Sequence, residues 1–348
     1  MNLRFRSGIP FPKKFKATFV QITNRLFFVK KTIRRRTFVH HASLTAAGMM
    51  IWAGCGQKTK TYPEEEIKRD QRFRISLAQW SLHRALQSGE LDHLDFAVRA
   101  ARDFGILGVE YVNSFFKDKA TDIVYLAEMN KRAEDHGVTQ VLIMVDGEGD
   151  LAEHDETRRK EAVGLHHKWV DAAATLGCHS IRVNLFGASD DRETLRLAAV
   201  QSLGELAEYA RPSGINVIVE NHGGTSSDGG WLTKVIREVN MDNCGTLPDF
   251  GNFCIRREGG DRWSTACIEE YDRYRGVEEM LPYAKAVSAK SYDFDETGRE
   301  TTIDFARMID MVKSSAYSGW IGVEYEGSRL SEYEGIQATK KLLEGLLT

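Results

Sequence analysis

The chain contains the runs Asn216-Val217-Ile218-Val219-Glu220 and Gly245-Thr246-Leu247-Pro248-Asp249, each of which is short, mainly apolar and ended by a carboxylate. A longer amphipathic stretch separates the two runs. This order is typical of a βα unit in a parallel sheet. The same alternation extends from Phe73 to the C-terminal end of the chain, so an α/β fold is predicted for that whole region.

Eight runs of this kind can be counted, and they predict eight strands. The predicted strands cover residues 74–78, 107–111, 140–145, 180–184, 216–220, 245–249, 286–290 and 320–324. An open, doubly wound sheet would show a similar alternation, but no Gly-x-Gly-x-x-Gly motif follows a predicted strand. Eight units within residues 73–348 match the size of a single (β/α)8 TIM barrel.

The N-terminal segment differs sharply from the rest of the chain in charge. The first 60 residues contain 13 Lys or Arg and no Asp or Glu, whereas the remaining 288 contain 34 basic and 50 acidic residues. Within it, Arg34-Arg35-Arg36-Thr37-Phe38-Val39 resembles the twin-arginine export pattern, and a modestly apolar run from Ala42 to Ala53 follows. That run is shorter than the ~20 residues that cross a bilayer. Residues 1–55 are therefore predicted to be an export signal that places the protein outside the cytoplasm.

The sequence at the end of this signal is compatible with two kinds of processing. Trp52-Ala53-Gly54-Cys55 resembles a bacterial lipobox, although Trp52 stands where an aliphatic residue is usual. Lipidation of Cys55 would anchor the protein to a membrane, whereas plain cleavage would release it into the periplasm. In either case, residues 56–72 are predicted to be a polar linker and residues 73–348 to form the barrel.

The composition of residues 61–348 argues against one class of binding partner. Its excess of acidic residues argues against nucleic acid, because such binding depends on Lys and Arg at the phosphates. The cysteines show no C-x-x-C spacing, and a barrel of this size does not need disulfides. Cys178, Cys244, Cys254 and Cys267 are therefore expected to be packed thiols. Oligomer formation stays open.

Polar residues follow most of the predicted strands. Barrel enzymes carry their chemistry at the C-terminal strand ends, which here hold Glu110, Asp146, Asn184, Glu220, Asp249, Lys290 and Glu324. Carboxylates crowded at one rim repel each other and are costly to bury as ions, so a cation or a shared proton must relieve them. A divalent metal ion is therefore predicted. Oxygen ligands suit Mg or Mn, and a histidine would shift the preference toward Zn or Co.

Three of these strand ends resemble those of a known family. They are Val219-Glu220-Asn221, Leu247-Pro248-Asp249 followed by Gly251-Asn252, and Gly322-Val323-Glu324, which resemble strands five, six and eight of the xylose-isomerase-like superfamily of sugar isomerases and epimerases. The resemblance covers the chain from about Phe73 to its end. It implies that Glu220, Asp249 and Glu324 bind the metal ion.

The chain departs from this family on strand seven, where the family has a histidine ligand. Val287-Ser288-Ala289-Lys290-Ser291 offers Ser288 or Lys290 instead, and Asn252 stands where the family has the histidine of an Asp-x-x-His motif. His222 lies two residues after Glu220 and therefore on the same side of the strand if the strand continues. It is a candidate for the missing imidazole.

Further residues are candidates for holding a sugar. Trp80 would form an apolar wall and His83 would bind a hydroxyl, since both follow the first predicted strand. Glu110, Asn184 and His222 are the other predicted substrate-binding residues. For an isolated residue such as Glu110, a helix cap or a surface charge is the competing interpretation.

The resemblance implies a metal-dependent isomerase or epimerase that acts on a sugar or sugar derivative through proton abstraction and an enediolate. Glu220 and Glu324 would act as base and acid as well as metal ligands, and Lys290 would polarise the carbonyl or donate a proton. One alternative is a lyase that performs β-elimination on an oxidised (keto) glycoside with the same site. Another is a sugar-binding lipoprotein without catalysis. All three predict a small carbohydrate as the ligand.

We expect the precursor to stay in the cytoplasm when both Arg35 and Arg36 are replaced by Lys, because the export machinery recognises the arginine pair of the signal. Cell fractionation and immunoblotting measure this. Cys55→Ser then separates the two outcomes of processing, since it releases a lipoprotein from the membrane but leaves the location of a plainly cleaved protein unchanged. Normal export of the double-lysine variant would contradict the prediction.

Overall fold

The three-dimensional structure, a computed structural model, describes residues 70–348. The predicted export signal, including Arg35, Arg36 and Cys55, lies outside the described residues, as do residues 56–69 of the predicted linker.

Eight parallel strands form the barrel, and two further strands form a separate antiparallel hairpin. In chain order the strands are β1 (Phe73–Ala78), β2 (Gly108–Val112), β3 (Thr139–Met144), β4 (Ser180–Val183), β5 (Asn216–Glu220), β6 (Cys244–Leu247), β7 (Cys254–Arg257), β8 (Cys267–Glu270), β9 (Val287–Ser291) and β10 (Gly319–Tyr325). The hairpin consists of β7 and β8. Strands β9 and β10 are therefore the seventh and eighth strands of the barrel.

The sheet closes on itself. Hydrogen bonds join the barrel strands in the order β6-β5-β4-β3-β2-β1-β10-β9. Parallel bridges from Thr246 to Ala284 and from Asp249 to Ser288 then connect the β6 and β9 sides. The prediction of a single (β/α)8 barrel is confirmed.

The described residues contain nine α-helices. They are α1 (His83–Ser88), α2 (Phe96–Phe104), α3 (Ile123–Asp135), α4 (Glu156–Leu176), α5 (Arg192–Ala210), α6 (Gly229–Val239), α7 (Arg273–Met280), α8 (Phe305–Ser314) and α9 (Glu332–Leu346). Many begin at an aspartate whose side chain accepts from the first turn, as Asp155 does for α4 and Asp191 for α5. Between residues 70 and 348, none of these helices combines the length and the apolar composition that a membrane span requires.

Two apolar clusters pack the barrel. The larger one joins strand residues such as Ile143 to residues of the surrounding helices, such as Trp169 on α4. The smaller one contains Leu142, Met144 and Ile218, and no α-helix contributes to it. Adjacent residues of β3 thus belong to different clusters, because successive side chains of a strand point to opposite faces. The smaller cluster fills the interior of the barrel.

The cysteine prediction is confirmed for Cys178 and Cys244, which are free and buried. It is wrong for Cys254 and Cys267, which form a disulfide. They lie 13 residues apart in sequence, but the antiparallel pairing of β7 and β8 brings their Cα atoms to 5.8 Å, a separation that a disulfide can bridge. The hairpin escaped the sequence analysis because its strands are short and polar, and sequence spacing alone does not show pairing.

Candidate functional site

Three buried carboxylates meet at the C-terminal end of the barrel. Glu220 is the last residue of β5, Asp249 follows β6 by two residues, and Glu324 lies one residue before the end of β10. All three are buried, and one carboxylate oxygen of each lies within 4.8 Å of the others. We call these residues the acidic trio. The structure therefore brings together the three residues that the sequence singles out as metal ligands.

Neighbouring polar groups orient the acidic trio. Ser288 Oγ, on β9, lies 2.6 Å from Asp249 Oδ2 and 2.9 Å from Glu324 Oε2. Asn252 Nδ2 donates to Glu220 Oε1 at 2.9 Å. The other Asp249 oxygen accepts two backbone N–H groups, each at 2.8 Å. Each carboxylate is thus held by at least one short contact to a group of the barrel rim.

Two buried cations lie against the trio. Lys290, on β9, places Nζ 3.3 Å from Glu324 Oε1. Arg182, on β4, places Nε 2.8 Å from Glu220 Oε2. Only 1% of Lys290 and 3% of Arg182 are exposed, so each charge depends on its carboxylate partners rather than on water. Lys290 is therefore an interior residue of the site rather than a surface lysine.

Each cation has a second carboxylate partner. Lys290 Nζ lies 3.3 Å from Glu326 Oε2, and Arg182 Nη1 lies 2.6 Å from Asp146 Oδ1. Arg182 and Glu326 are site residues that the sequence analysis missed. A search with a period of two would have found them, since polar side chains recur at alternate positions of three strand ends: Arg182 and Asn184, Ser288 and Lys290, and Glu324 and Glu326.

Burial changes the proton affinity of these groups. Loss of hydration raises the pKa of Asp249 to about 8 and the pKa of Glu220 to about 7, although Lys290 and Arg182 respectively oppose the rise. Burial alone would lower the pKa of Lys290, but the surrounding carboxylates, Glu324 first, hold it well above its usual value. The site therefore combines a charged ammonium group with carboxyl groups that retain protons near neutral pH.

The trio fits a divalent metal ion. Oxygen ligands lie about 2.0–2.6 Å from such ions, so two ligands of one ion are at most about 5 Å apart, and the 4.8 Å limit of the trio satisfies this. Among residues 70–348, the cluster of side chains able to bind a metal ion consists of these three carboxylates and contains no histidine. A set of oxygen donors suits Mg or Mn better than Zn.

A cavity of about 700 Å³ leads to the trio. Its wall includes Glu324 and Lys290, together with the predicted substrate-binding residues Trp80, Asn184 and His222. Polar and aromatic groups thus face the same space, which is typical of a small-molecule site.

His222 belongs to this wall rather than to the trio. Its Nδ1 lies 2.9 Å from Oδ1 of Asn184, the residue that follows β4. Burial and the positive charge of Arg182 lower the pKa of His222 to about 4, so the imidazole is neutral. His222 is not part of the cluster formed by Glu220, Asp249 and Glu324. On the seventh barrel strand, Ser288 contacts two carboxylates of that cluster.

Sequence comparison identifies the fold family. The model of the xylose isomerase-like TIM barrel family matches residues 98–347. The chain belongs to this family. No curated protein sequence matches it significantly.

Solved structures of the same barrel type resemble the chain in fold. The zinc-bound IolI protein has 15% identity and a TM-score of 0.61, with coverage of 79% of this chain and 98% of its own. D-psicose 3-epimerase from Clostridium cellulolyticum H10, solved with D-tagatose, has 14% identity, a TM-score of 0.60 and coverage of 79% and 99%. The 3-keto-D-glucoside 4-epimerase of E. coli has 14% identity, a TM-score of 0.56 and coverage of 79% and 100%. At these identities the likeness shows the shared fold alone.

Two predicted substrate-binding residues of this xylose isomerase-like barrel lie elsewhere. His83 stacks on the side of Trp80, with ring centres 4.8 Å apart, and its Nδ1 contacts the Trp80 carbonyl oxygen at 2.7 Å. It is not part of the cavity wall. Residues 79–82 form a short 3₁₀ helix that places Trp80 on the cavity wall. The ring of His83 packs against the ring of Trp80.

Glu110 is the second of these residues. It is fully buried within the barrel, at 2.5 Å from Ser76 Oγ, and does not line the cavity. Loss of hydration raises its pKa to about 8, a rise that Ser76 opposes and that the charges of Glu324 and Glu220 reinforce.

We expect Glu110→Gln to stabilise the metal-free protein increasingly as the pH rises. The folded state keeps the Glu110 proton up to about pH 8, whereas an unfolded carboxyl loses it near pH 4.5. The parent therefore loses stability across that interval, because the folded state binds more protons than the unfolded state. Glutamine stays neutral and avoids this loss.

Thermal unfolding in EDTA between pH 5 and 9 measures the effect. The melting temperature of Glu110→Gln minus that of the parent should increase with pH, by roughly 2–4 °C for each kcal/mol of stability. Glu134→Gln, at an exposed position on α3, is the control and should give a difference that does not depend on pH. A difference for Glu110→Gln that is constant over this range would rule out the buried neutral carboxyl.

Proposed function

We propose that the protein is a metal-dependent isomerase or epimerase of a sugar or sugar derivative. The observation that carries this proposal is the acidic trio, three buried carboxylates within 4.8 Å of one another. One of them, Glu324, lines a polar and aromatic cavity of about 700 Å³. Family membership and structural neighbours that include sugar epimerases support the same class of reaction.

The trio would hold the metal ion. Glu220, Asp249 and Glu324 supply oxygen donors only, which favours Mg or Mn. When bound, a divalent ion supplies positive charge next to the oxygens of a sugar and so makes the neighbouring C–H group more acidic. Asp249 is anchored most firmly, since one of its oxygens accepts two backbone N–H groups.

Two carboxylates of the trio are suited to move a proton. Glu220 is paired with Arg182 and Glu324 with Lys290, at 2.8 and 3.3 Å. One would remove a proton from the carbon next to the sugar carbonyl. The other would return a proton to the opposite face of that carbon, which gives an epimer, or to the neighbouring carbon, which gives an isomer. Lys290 would stabilise the negative charge that develops on oxygen.

The remaining wall would bind the sugar. Asn184 and His222 form a hydrogen-bonded pair at 2.9 Å, and both can contact hydroxyl groups. Trp80 offers an aromatic face and is held in place by His83. These groups would orient the reacting carbon toward the carboxylates.

Elimination from a keto glycoside is the second candidate. Lys290 favours it, because its buried ammonium group lies between Glu324 and Glu326 and could protonate a departing glycosidic oxygen. The same base would remove the proton in both reactions. The two candidates differ in the product, which is a stereoisomer in one case and a released aglycone in the other.

We also propose that the protein acts outside the cytoplasm, either free in the periplasm or anchored by a lipid. The basic N-terminal segment supports export. The Cys254–Cys267 disulfide supports it independently, because disulfides form and persist in oxidising compartments.

The metal requirement is tested by elemental analysis of trio variants. We expect about one divalent ion per parent molecule, and a sharp loss in Glu220→Gln, Asp249→Asn and Glu324→Gln, since each substitution removes a charged ligand. Glu134→Gln should keep the parental content. Incubation with D-glucose, D-fructose and methyl 3-keto-glucoside in D2O, followed by NMR, then reports the reaction.

Deuterium exchange with a new stereoisomer supports isomerisation or epimerisation, and release of methanol supports elimination. Loss of the ion should abolish either signal. Full activity of metal-free protein would refute the role given to the trio.

We expect Lys290→Met to reduce turnover by ~10²–10⁴-fold with nearly unchanged metal content, because general acid–base groups contribute in that range. Methionine keeps an unbranched stem but removes the charge and all three donors. Turnover and elemental analysis of the same preparation separate the two possibilities, and thermal unfolding verifies that the variant folds. Joint loss of metal and activity would instead make Lys290 part of the metal site, and turnover within about threefold of the parent would exclude a catalytic role.

A further inference from the structure

The hairpin of β7 and β8 forms one side of the cavity mouth. Its base is joined to the site, since the Asn252 carbonyl oxygen accepts from Ser227 Oγ at 2.7 Å and from Asn221 Nδ2 at 3.2 Å. Cys254 lines the cavity and is bonded covalently to Cys267 on the other strand. The hairpin is therefore a fixed part of the cavity wall.

The tip of the hairpin reaches the loops after three other strands. Trp263 packs on His222, after β5, with ring centres 4.7 Å apart, and meets Phe186, after β4, edge to face at 5.5 Å. Arg262 pairs with Asp150, after β3, at 2.8 Å, and places its guanidinium 4.5 Å from the Phe186 ring. These contacts hold the tip across the mouth, from the β6 side to the β3 side.

Trp263 is the exposed member of this group. It lines the cavity, yet half of its surface is accessible. An aromatic ring has a negative face, and a pyranose ring presents C–H groups of partial positive charge along its own face. Trp263, braced by His222 and Phe186, is thus a platform on which a sugar ring can stack.

The cavity has room for more than one sugar ring. A hexose has twelve heavy atoms. If each takes the roughly 30 Å³ of a water molecule in the liquid, one hexose fills about half of the 700 Å³. Two tryptophans line this cavity. Trp80 stacks on His83 after β1, whereas Trp263 packs on His222 and Phe186.

The two arginines of the hairpin that line the cavity make contacts within the protein. Arg262 donates from both terminal nitrogens, Nη1 and Nη2, to Asp150, at 3.2 and 2.8 Å. Arg257 Nη1 donates to the Thr265 carbonyl oxygen at 2.7 Å. Both arginines line the cavity, and both serve to shape the hairpin.

We propose that the disulfide-closed hairpin carries a second sugar subsite, centred on Trp263, and that the substrate is therefore a disaccharide or longer glycoside. This inference rests on the proposed function and names the substrate class of the same site. The trio and Lys290 act on one ring, while Trp263 holds the next ring of the glycoside.

Isothermal titration calorimetry tests the subsite on the intact, disulfide-bonded protein. The probes are matched sugars: glucose with cellobiose and maltose, and galactose with lactose. At least one disaccharide should bind about tenfold more tightly than its monosaccharide, the ratio expected for ~1.4 kcal/mol of stacking. Trp263→Ala should remove this advantage and leave monosaccharide affinity unchanged.

Two further variants control for the aromatic ring and for the hairpin itself. Trp263→Phe should retain most of the advantage because it keeps an aromatic face. Ile268→Ala should retain all of it, since Ile268 is equally exposed on β8 but lies outside the cavity wall. Thermal unfolding verifies that each variant is folded.

Equal affinity of the parent for mono- and disaccharides overturns the proposal. An equal loss of affinity for both in Trp263→Ala also overturns it, and so does the absence of binding to every sugar of the panel. These outcomes are distinct from failure of the proposed function. Exchange in D2O on free sugars without a preference for glycosides would keep the function and remove the subsite. Trp263-dependent binding of a disaccharide without exchange would keep the subsite and remove the proposed function.

Discussion

Mutual repulsion among buried carboxylates is the constraint on which the rest of the site depends. Glu220, Asp249 and Glu324 lie within 4.8 Å of one another with little access to water, where like charges interact far more strongly than in solvent. Arg182 and Lys290 offset part of this charge. Both are also shared with further carboxylates, so protons or a divalent ion must supply the remainder. The cation affinity that we propose would follow from how the barrel brings its strand ends together.

The substitution on strand seven changes the character of the site. Where the family has a histidine ligand, this chain has Ser288 facing two trio carboxylates and Lys290 facing Glu324. A neutral nitrogen ligand is thus replaced by a hydroxyl group and a fixed positive charge. The result is a set of oxygen donors with an acid group beside it. This arrangement is the basis of the reaction proposed for the site.

The hairpin adds to the cavity wall without altering the barrel. It follows the Asp249 loop directly, and its disulfide and its contacts with His222 and Asp150 hold it over the mouth. Loops at this end of a barrel can vary because the packed strands below them carry the stability. A disulfide in such a loop is useful outside the cytoplasm, where it persists. The proposed export would therefore suit a cavity wall that contains a disulfide.

The sequence by itself predicted the eight barrel strands and their polar ends, because apolar periodicity and the residue type at a strand end are local properties. The resemblance to a known family then pointed to three of those ends as the trio. Only the tertiary structure decided that Arg182 and Glu326 complete the site and that Glu110 and His83 do not face the cavity. The Cys254–Cys267 pairing also depends on strand register. Those facts rest on distances between residues far apart in the chain, and such distances exist only once the sheet has closed.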